Sequence, residues 1–265
     1  MNKKKIDSER HQVFLDPPNL NDFVWRYLDL PKLISILDKK KLFLPRITLF
    51  NDPLEGSIPQ KNKEVFEDFY KKSGNIEGKK ETSDYARALM DFTYVSCWHL
   101  NNNESEAMWK LYCGSNQGIA LRTSYKKLTE VIKDTSFQTG LVRYIDYDTE
   151  YFGYDKNIIR DKKFYHALNL ANAFMHKRNV FEHEKEVRII KIDYDSLNKN
   201  IFVETKKKKP PLGIFVDFDI NDIKMIYVNP YADNWYFDVV NSVISKYLYD
   251  LKLMWSSIKR DPLYL

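Results

Sequence analysis

Three glutamates, Glu182, Glu184 and Glu186, stand at alternate positions in VFEHEKEVRIIKI (Val180 to Ile192) and lead into a branched apolar run. In an extended chain side chains alternate between faces. Glu186, Arg188, Ile190 and Ile192 would then share one face, with Glu184 and Glu182 prolonging it beyond the strand start. Three carboxylates in a row repel, which a chain tolerates cheaply where they stay wet or meet a cation. One reading is therefore a solvated strand entrance with Glu186 paired along the strand to Arg188. The other is chemical. When a glycosidic bond breaks through an oxocarbenium-like state, a carboxylate that binds the neighbouring ring hydroxyl and lies near the anomeric carbon stabilises the cation. A leaving group that is already positive, as nicotinamide is in NAD, needs no acid to expel it. Such a site takes a carboxylate, a cation for the dinucleotide phosphates and an aromatic platform for the cationic ring.

Residues for the other parts are present. WRY places Arg26 and Tyr27 on an early strand, and arginine suits bidentate contact with phosphate or ribose oxygens, although a structural ion pair is the plainer role. FNDPLEG offers Asn51, Asp52 and Glu55 in a tight turn; Asp52 can bond its own backbone there, whereas Glu55 is harder to explain as a turn former. Met108, Trp109 and Tyr112 fall at helical spacing, as core residues or as a ring platform. Ser96 in YVSCW could touch a ribose from a strand, and His99 reads as a surface histidine.

These residues need a scaffold, and the patterning predicts one α+β domain around a mixed, mostly antiparallel sheet. Expected strands are FVWRYLDL, LFLPRI, FTYVSCWHL, GIALRTS, TGLVRYIDY, the glutamate motif, PPLGIFVDFD and IKMIYVNP. PKLISILDKKK, a segment entered at Ser105, a long stretch over Asp161 to Arg178, and Trp235 to Leu251 read as helices. KKSGNIEGKKE reads as an exposed loop between helices, and residues 1–22 as a flexible arm before a domain at 23–265. Strands and helices do not alternate regularly, and neither GxGxxG nor GxxxxGK[ST] occurs, which argues against a doubly wound nucleotide fold or a P-loop.

Composition narrows the classes further. The 265 residues carry 42 basic and 37 acidic side chains, a net charge of +5 that permits contact with nucleic acid or an anionic cofactor without demanding it. Cys97 and Cys113 are the only cysteines, with no CxxC and no histidines at ligand spacing, so neither a disulfide framework nor a metal site is expected. No stretch approaches the roughly 18 apolar residues of a membrane span, and the N-terminus lacks a signal-like apolar segment, which predicts a cytoplasmic protein without membrane contact.

The ordered set WRYLDL, LFLPRITLFNDPLEG, VSCWHLNNNESEAMWKLYCGSNQGIAL, VRYIDY and FEHEKEVRII, spanning about Val24 to Ile192, resembles a bacterial family known only as domain of unknown function 2971. That family's arrangement is similar in turn to the ADP-ribosyltransferases. The resemblance implies an NAD-dependent transferase acting on a nucleic acid or protein acceptor, of the bacterial toxin or phage-defence kind, with an antitoxin protein as a partner. It puts Arg26, Ser96 and Glu186 in the early-, middle- and late-strand roles, with Tyr27 as an alternative stacking residue. Glu184 would orient the acceptor, and Asn51, Glu55, Trp109 and Tyr112 would join the NAD-binding set. VSCW departs from the usual Ser-Thr-Ser pattern at the middle position. Two alternatives stand beside this reading. Eighteen tyrosines and sixteen phenylalanines would equally furnish a non-catalytic partner-binding module, and Asp52 or Glu55 with Glu186-x-Arg188 faintly mimics a metal-dependent nuclease.

Overall fold

Asp29 ends a strand and opens a helix in one step. β1 (Phe23–Asp29) gives way to α1 (Leu30–Lys39) where the Asp29 carboxylate accepts the Lys32 amide at 2.9 Å, and Pro31 stands in the first turn, where no amide is needed. α1 buries Leu33, Ile36 and Leu37 and stops at Lys40, whose left-handed backbone (φ 51°) turns the chain into β2 (Lys41–Pro45). The computed structural model describes residues 13–152, 170–203, 209–223, 225–247, 251–260 and 262.

Two longer helices follow, α2 (Gln60–Ser73) and α3 (Ile76–Asp91). The loop expected across KKSGNIEGKKE contracts to Gly74 and Asn75. Gly74 takes the left-handed turn at φ 66°, and the Asn75 side chain caps α3 by accepting the Gly78 amide at 2.8 Å. β3 (Thr93–Leu100) leads to α4 (Glu106–Tyr112), capped by Ser105 through the Met108 amide, and then come β4 (Gly118–Ser124), α5 (Tyr125–Val131), β5 (Gln138–Leu141) and β6 (Arg143–Ile145). Of the long helix expected over Asp161 to Arg178, residues 161–169 lie outside the described residues. The rest is a 3₁₀ turn at Leu170–Phe174 and a strand, β7 (His176–Arg178), that pairs in parallel with β6. β8 (Glu186–Ile192), α6 (Tyr194–Asn198), β9 (Gly213–Asp217), β10 (Met225–Val228), α7 (Asn234–Lys246) and β11 (Lys252–Trp255) complete the order.

Among the described residues, seven strands form one sheet in the order β11-β10-β4-β1-β3-β8-β5, antiparallel throughout except for β10 with β11. The mixed, mostly antiparallel α+β architecture is thus the observed one. The sheet is two ladders joined at one end. β1 pairs with β4 along all seven residues, and β3 pairs with β8 from Thr93 to His99. Between β1 and β3 only Val24↔Leu100 and Trp25↔His99 are paired among the described residues. Beyond that point the strands part, and the opening is a fork whose sides are Arg26–Asp29 of β1 and the preceding residues of β3.

One face of the sheet carries Val24, Leu28, Trp98, Val187 and Ile189 into the main core, which α1, α5 and α7 close with Leu33, Leu37, Leu128, Val240 and Ile244. Each such fully buried side chain contributes roughly 1.5–3 kcal/mol relative to exposure. Residues 1–12 of the expected flexible arm lie outside the described residues, and from Val13 the chain is packed. Val13 enters a second apolar cluster, Leu15 bridges to Leu141 of β5, and Tyr125 donates to Asp16 at 2.6 Å. Gly140 permits this approach, since a Cβ there would stand 2.9 Å from the Phe14 Cα.

Candidate active site

The alternation expected of Glu182, Glu184 and Glu186 does not hold. Asn179–Glu184 is a 3₁₀ helix, Lys185 is left-handed at φ 41°, and the strand begins only at Glu186. The backbone fixes this break: Lys185 donates its amide to the Glu182 carbonyl at 3.2 Å, and its own carbonyl accepts the Leu100 amide at 2.8 Å. Glu182 is left exposed, while Glu184 and Glu186 are buried. Neither entrance residue is solvated as a wet strand mouth would be.

The two buried carboxylates converge on one cation. Lys177 of β7, 8% exposed, donates to Glu186 Oε1 at 2.8 Å and also to Glu184 Oε2. Arg188, with no exposed surface, donates its Nε to the other Glu186 oxygen at 2.7 Å and its Nη1 to Glu55 Oε1 and the Phe174 carbonyl, both at 2.7 Å. The set alternates in sign from Glu184 through Lys177, Glu186 and Arg188 to Glu55. Fully ionised it would carry one excess negative charge, and burial makes that costly. Glu184 absorbs it. Burial, then the hydrogen bond and charge of Glu186, push its carboxyl up to about 7 against the pull of Lys177. Burial would raise Glu186 as well, but Arg188 and Lys177 outweigh it and hold that carboxyl well below the usual range. Side by side, then, one carboxylate stays ionised and its neighbour takes a proton near neutrality.

Other groups frame this pair. The Glu186 amide donates to the Tyr144 hydroxyl of β6 at 2.8 Å, and the thiol of half-buried Cys97, its proton held by desolvation and then by the Glu186 charge, lies against the same carboxylate. Tyr112 of α4, 50% exposed, donates its hydroxyl to Glu184 Oε1 at 3.3 Å and brings the set to the surface. His99 is not a surface residue. Its Nδ1 lies 2.6 Å from the Glu184 carbonyl, Asn101 approaches Nε2 at 3.3 Å, and burial lowers its pKa, so the ring is neutral with its proton on Nδ1.

Arg26 stands at the fork. Its register puts it on the face of Val24 and Leu28, and its Nη1 spans the opening to the Ser96 hydroxyl at 2.6 Å and the Cys97 carbonyl at 2.9 Å, with Trp98 5.8 Å beneath. Burial lowers the pKa of this guanidinium, and the Tyr112 hydroxyl lies within its electrostatic range. Tyr112 thus touches Glu184 and lies within the electrostatic range of Arg26, and among the described residues no ion pair joins Arg26 to the glutamates. Ser96 is buried and accepts both Arg26 and the Trp98 indole at 3.2 Å, so its oxygen holds the arginine. Tyr27 accepts the Ser105 amide at 3.2 Å and meets the edge of Trp109 at a ring distance of 4.9 Å.

Two expected ligand contacts move behind the site. Trp109 has no exposed surface and packs with Trp25, Cys113, Ala120 and Tyr227, so it supports Tyr27 and offers a ligand no open face. Glu55 is buried beneath Arg188 and acts through it. Asn51 is exposed on the same turn, where Asp52 accepts the Leu54 amide and pairs with Arg178 at 2.6 Å; the described contacts do not bring Asn51 to the glutamates. Sequence reasoning did not place Lys177 or Tyr144 beside the glutamates, although Tyr144 lies in VRYIDY, because their segments meet only through the β6–β7 pairing. Two open clefts, of about 370 and 490 Å³, lie elsewhere, beside Ser196 and Pro211 and beside Lys40 and Phe215.

Residues 108–189 match the model of a protein family of unknown function, DUF2971. This is the family that the sequence motifs resemble, and the match runs from the α4 motif to β8, with WRY and FNDPLEG before it. No curated protein matches the chain. Among solved structures, Thermus sp. 2.9 DarT in complex with carba-NAD+ is similar at 10% identity and a TM-score of 0.34, over 88% of this chain and 92% of that one. Thermus sp. 2.9 DarT in complex with NAD+ is similar at 10% identity and a TM-score of 0.35, over 91% and 96%.

Proposed function

We propose that this chain is an ADP-ribosyltransferase that uses NAD at the fork and transfers ADP-ribose to a nucleic acid or protein acceptor. The observation that carries the reading is Glu186, a buried carboxylate kept ionised by two cations at the lip of a parted sheet, with the Arg26 guanidinium inside the fork. A carboxylate so held can accept the ribose hydroxyl next to the anomeric carbon and stabilise positive charge developing there, without reorganising as the charge appears. Arg26 supplies the cation for the dinucleotide phosphates, and Tyr27 or the half-exposed Tyr112 supplies the ring platform.

The reaction then balances as follows. A lone pair on an acceptor oxygen or nitrogen forms the new bond to the ribose C1′, and the bond from C1′ to the pyridinium nitrogen breaks. Its electron pair returns to the ring, so nicotinamide leaves neutral. The acceptor's proton passes to Glu184, which is free to take it once ionised, above about pH 7.

Release of nicotinamide from NAD by the full-length protein, supplied with RNA, DNA or lysate protein, tests the reading. Glu186→Gln should lower turnover on the order of 100- to 1,000-fold, the effect of removing one preorganised electrostatic group. Chelator should leave turnover unchanged, and NAD left intact with every acceptor sinks the proposal. A second reading is favoured by the exposed apolar residues on the two segments flanking Glu184. Leu111 is 59% and Val180 66% exposed, as a partner-binding module would present them.

A further inference from the structure

We infer that Lys177 is the positioning residue of this site: its ammonium divides two neighbouring carboxyls into one fixed as a carboxylate, Glu186, and one left to exchange a proton, Glu184. The inference rests on the transferase reading for its purpose, but its geometry stands alone. Lys177 lies in the middle of β7, paired in register with Tyr144 of β6. Tyr144 accepts the Glu186 amide at 2.8 Å, and Lys177 donates to the Glu186 carboxylate at 2.8 Å. The two-stranded sheet therefore grips Glu186 twice, by its main chain and by its side chain, and fixes where the carboxylate points.

The same ammonium is the cation that Glu184 touches, whereas Arg188 serves Glu186 and Glu55. Phe181, with its ring 4.6 Å from Nζ, shields this contact, and the burial of Lys177 leaves it little freedom to leave. Burial would lower the Lys177 pKa, but Glu186 and Glu184 together raise it, so the amine stays charged across the working range. Without that charge two adjacent carboxyls in a buried site hold one proton between them far more tightly. The other groups facing the pair are Tyr112 from α4, His99 and Cys97 from β3, Tyr144 from β6 and Arg188 on β8. Glu55 stands behind Arg188, and His183 and Lys185 lie near His99. Of these only Arg188 brings a positive charge to the carboxylates themselves, and it contacts Glu186 alone of the two.

The test uses full-length protein labelled with ¹³C at the glutamate side-chain carboxyls, titrated by NMR as wild type, Glu184→Gln, Lys177→Met and Lys177→Arg. Wild type should show one carboxyl titrating near 7 that disappears in Glu184→Gln. Lys177→Met should move that midpoint upward by about one pH unit or more, a tenfold change in proton affinity, and Lys177→Arg should return most of it. The acid limb of nicotinamide release should shift by the same amount. A purely structural lysine would lower stability and leave the midpoint in place. The inference is overturned if no carboxyl titrates near 7 in wild type, if Lys177→Met leaves the midpoint where it was, or, should Lys177→Met not fold, if Lys177→Arg displaces it as far as a neutral residue would. Failure to consume NAD would sink the transferase reading while leaving these titrations to decide the role of Lys177.

Discussion

Trp25 and Glu186 lie in one row of the same sheet face, on either side of His99, in opposite surroundings. Around Trp25 the face is filled with rings: Tyr227 at 5.1 Å, Tyr27 at 6.4 Å, and Trp109, which meets Tyr27 edge-on. Around Glu186 it is filled with charges that pair with one another. The ring side is what a sheet face needs for stability, since burying apolar area is favourable in itself. The charged side is not, because taking ions out of water costs several kcal/mol each and their attraction often does no more than repay it. A chain of this size could have filled both sides with rings. That it fills one with an ordered series of ions argues that the charges serve binding or chemistry, and the two sides should fail in different ways.

The largest difference should come from breaking the ion series at its fully buried arginine. Arg188→Met leaves Glu186 and Glu55 buried without their shared cation, and loss of one partner from such a pair costs about 3–5 kcal/mol. Urea unfolding should show that loss, and combining it with Glu55→Gln and Glu186→Gln should recover much of it, because the uncompensated charges are then gone. Trp109→Ala should cost a similar amount through a cavity, roughly 3–5 kcal/mol, with no second substitution that restores it. If the triple replacement stays as unstable as Arg188→Met alone, the ions are holding the fold and the contrast collapses.

The next effect concerns pH, to which the ring side should be indifferent. His176, buried with Nδ1 2.8 Å from the Asn172 carbonyl, is held down to about 4 by burial, so between its unfolded value and 4 the unfolded chain binds the extra proton and stability falls as pH falls. Burial of His99 acts in the same sense. Glu184, raised to about 7, works oppositely: between 7 and its unfolded value the native state binds the extra proton, and stability rises as pH falls. From pH 7 to 5 the His176 and Glu184 contributions are each about 2 kcal/mol. His176→Gln should therefore flatten or reverse the loss of stability on acidification, and Glu184→Gln should steepen it. Trp109→Ala should shift the whole curve without changing its slope. Equal slopes in all three variants would show that neither group is coupled to folding.

The edge of the charged side should be sensitive to a single methyl. A Cβ at Gly140 would lie 2.9 Å from the Phe14 Cα and 3.1 Å from its carbonyl carbon, and main chain cannot swing aside as a side chain can. Gly140→Ala should cost about 1–3 kcal/mol as overpacking and expose the Leu141 amide, now bonded to the Leu15 carbonyl at 2.8 Å, to faster hydrogen exchange. Unchanged protection at Leu141 would mean that residues 13–15 are not closing that edge.

The contrast also explains what could be read in the sequence. Strands such as YVSCWHL and GIALRTS announce themselves because β-branched and aromatic residues pack on a pleated surface, and the mixed sheet follows from them. Glu184 and Glu186 were legible as a close pair of carboxylates, although the row that seemed to include Glu182 is broken by the left-handed Lys185, a backbone state that no neighbouring glycine signals. Trp109 has the helical spacing of a core residue and is one. The pairing of Lys177 with the glutamates was not legible, because its partners are seven and nine residues away across a 3₁₀ turn and its strand is three residues long. A buried lysine looks like any exposed one until the carboxylates that neutralise it are located. The fork was hidden for a related reason: alternation reveals strands, but which neighbours part company is settled by tertiary packing.

The smallest effect expected is at Tyr112, the half-exposed neutral donor beside the charged set. Tyr112→Phe removes the hydroxyl donated to Glu184 and keeps the ring, so at 50% exposure the change in stability should stay within about 1 kcal/mol, the net worth of one hydrogen bond. Its consequence should appear in proton affinity instead. The hydroxyl donates to the ionised form of Glu184, and losing that donor favours the protonated form, so the glutamate should titrate above its present midpoint. ¹³C titration of Tyr112→Phe should show an upward movement smaller than that of Lys177→Met, since a half-exposed neutral donor offsets less charge than a buried ammonium. A shift as large as the lysine's would make Tyr112 the dominant partner of Glu184 and move the division between ring side and charged side from the β6–β7 sheet to α4.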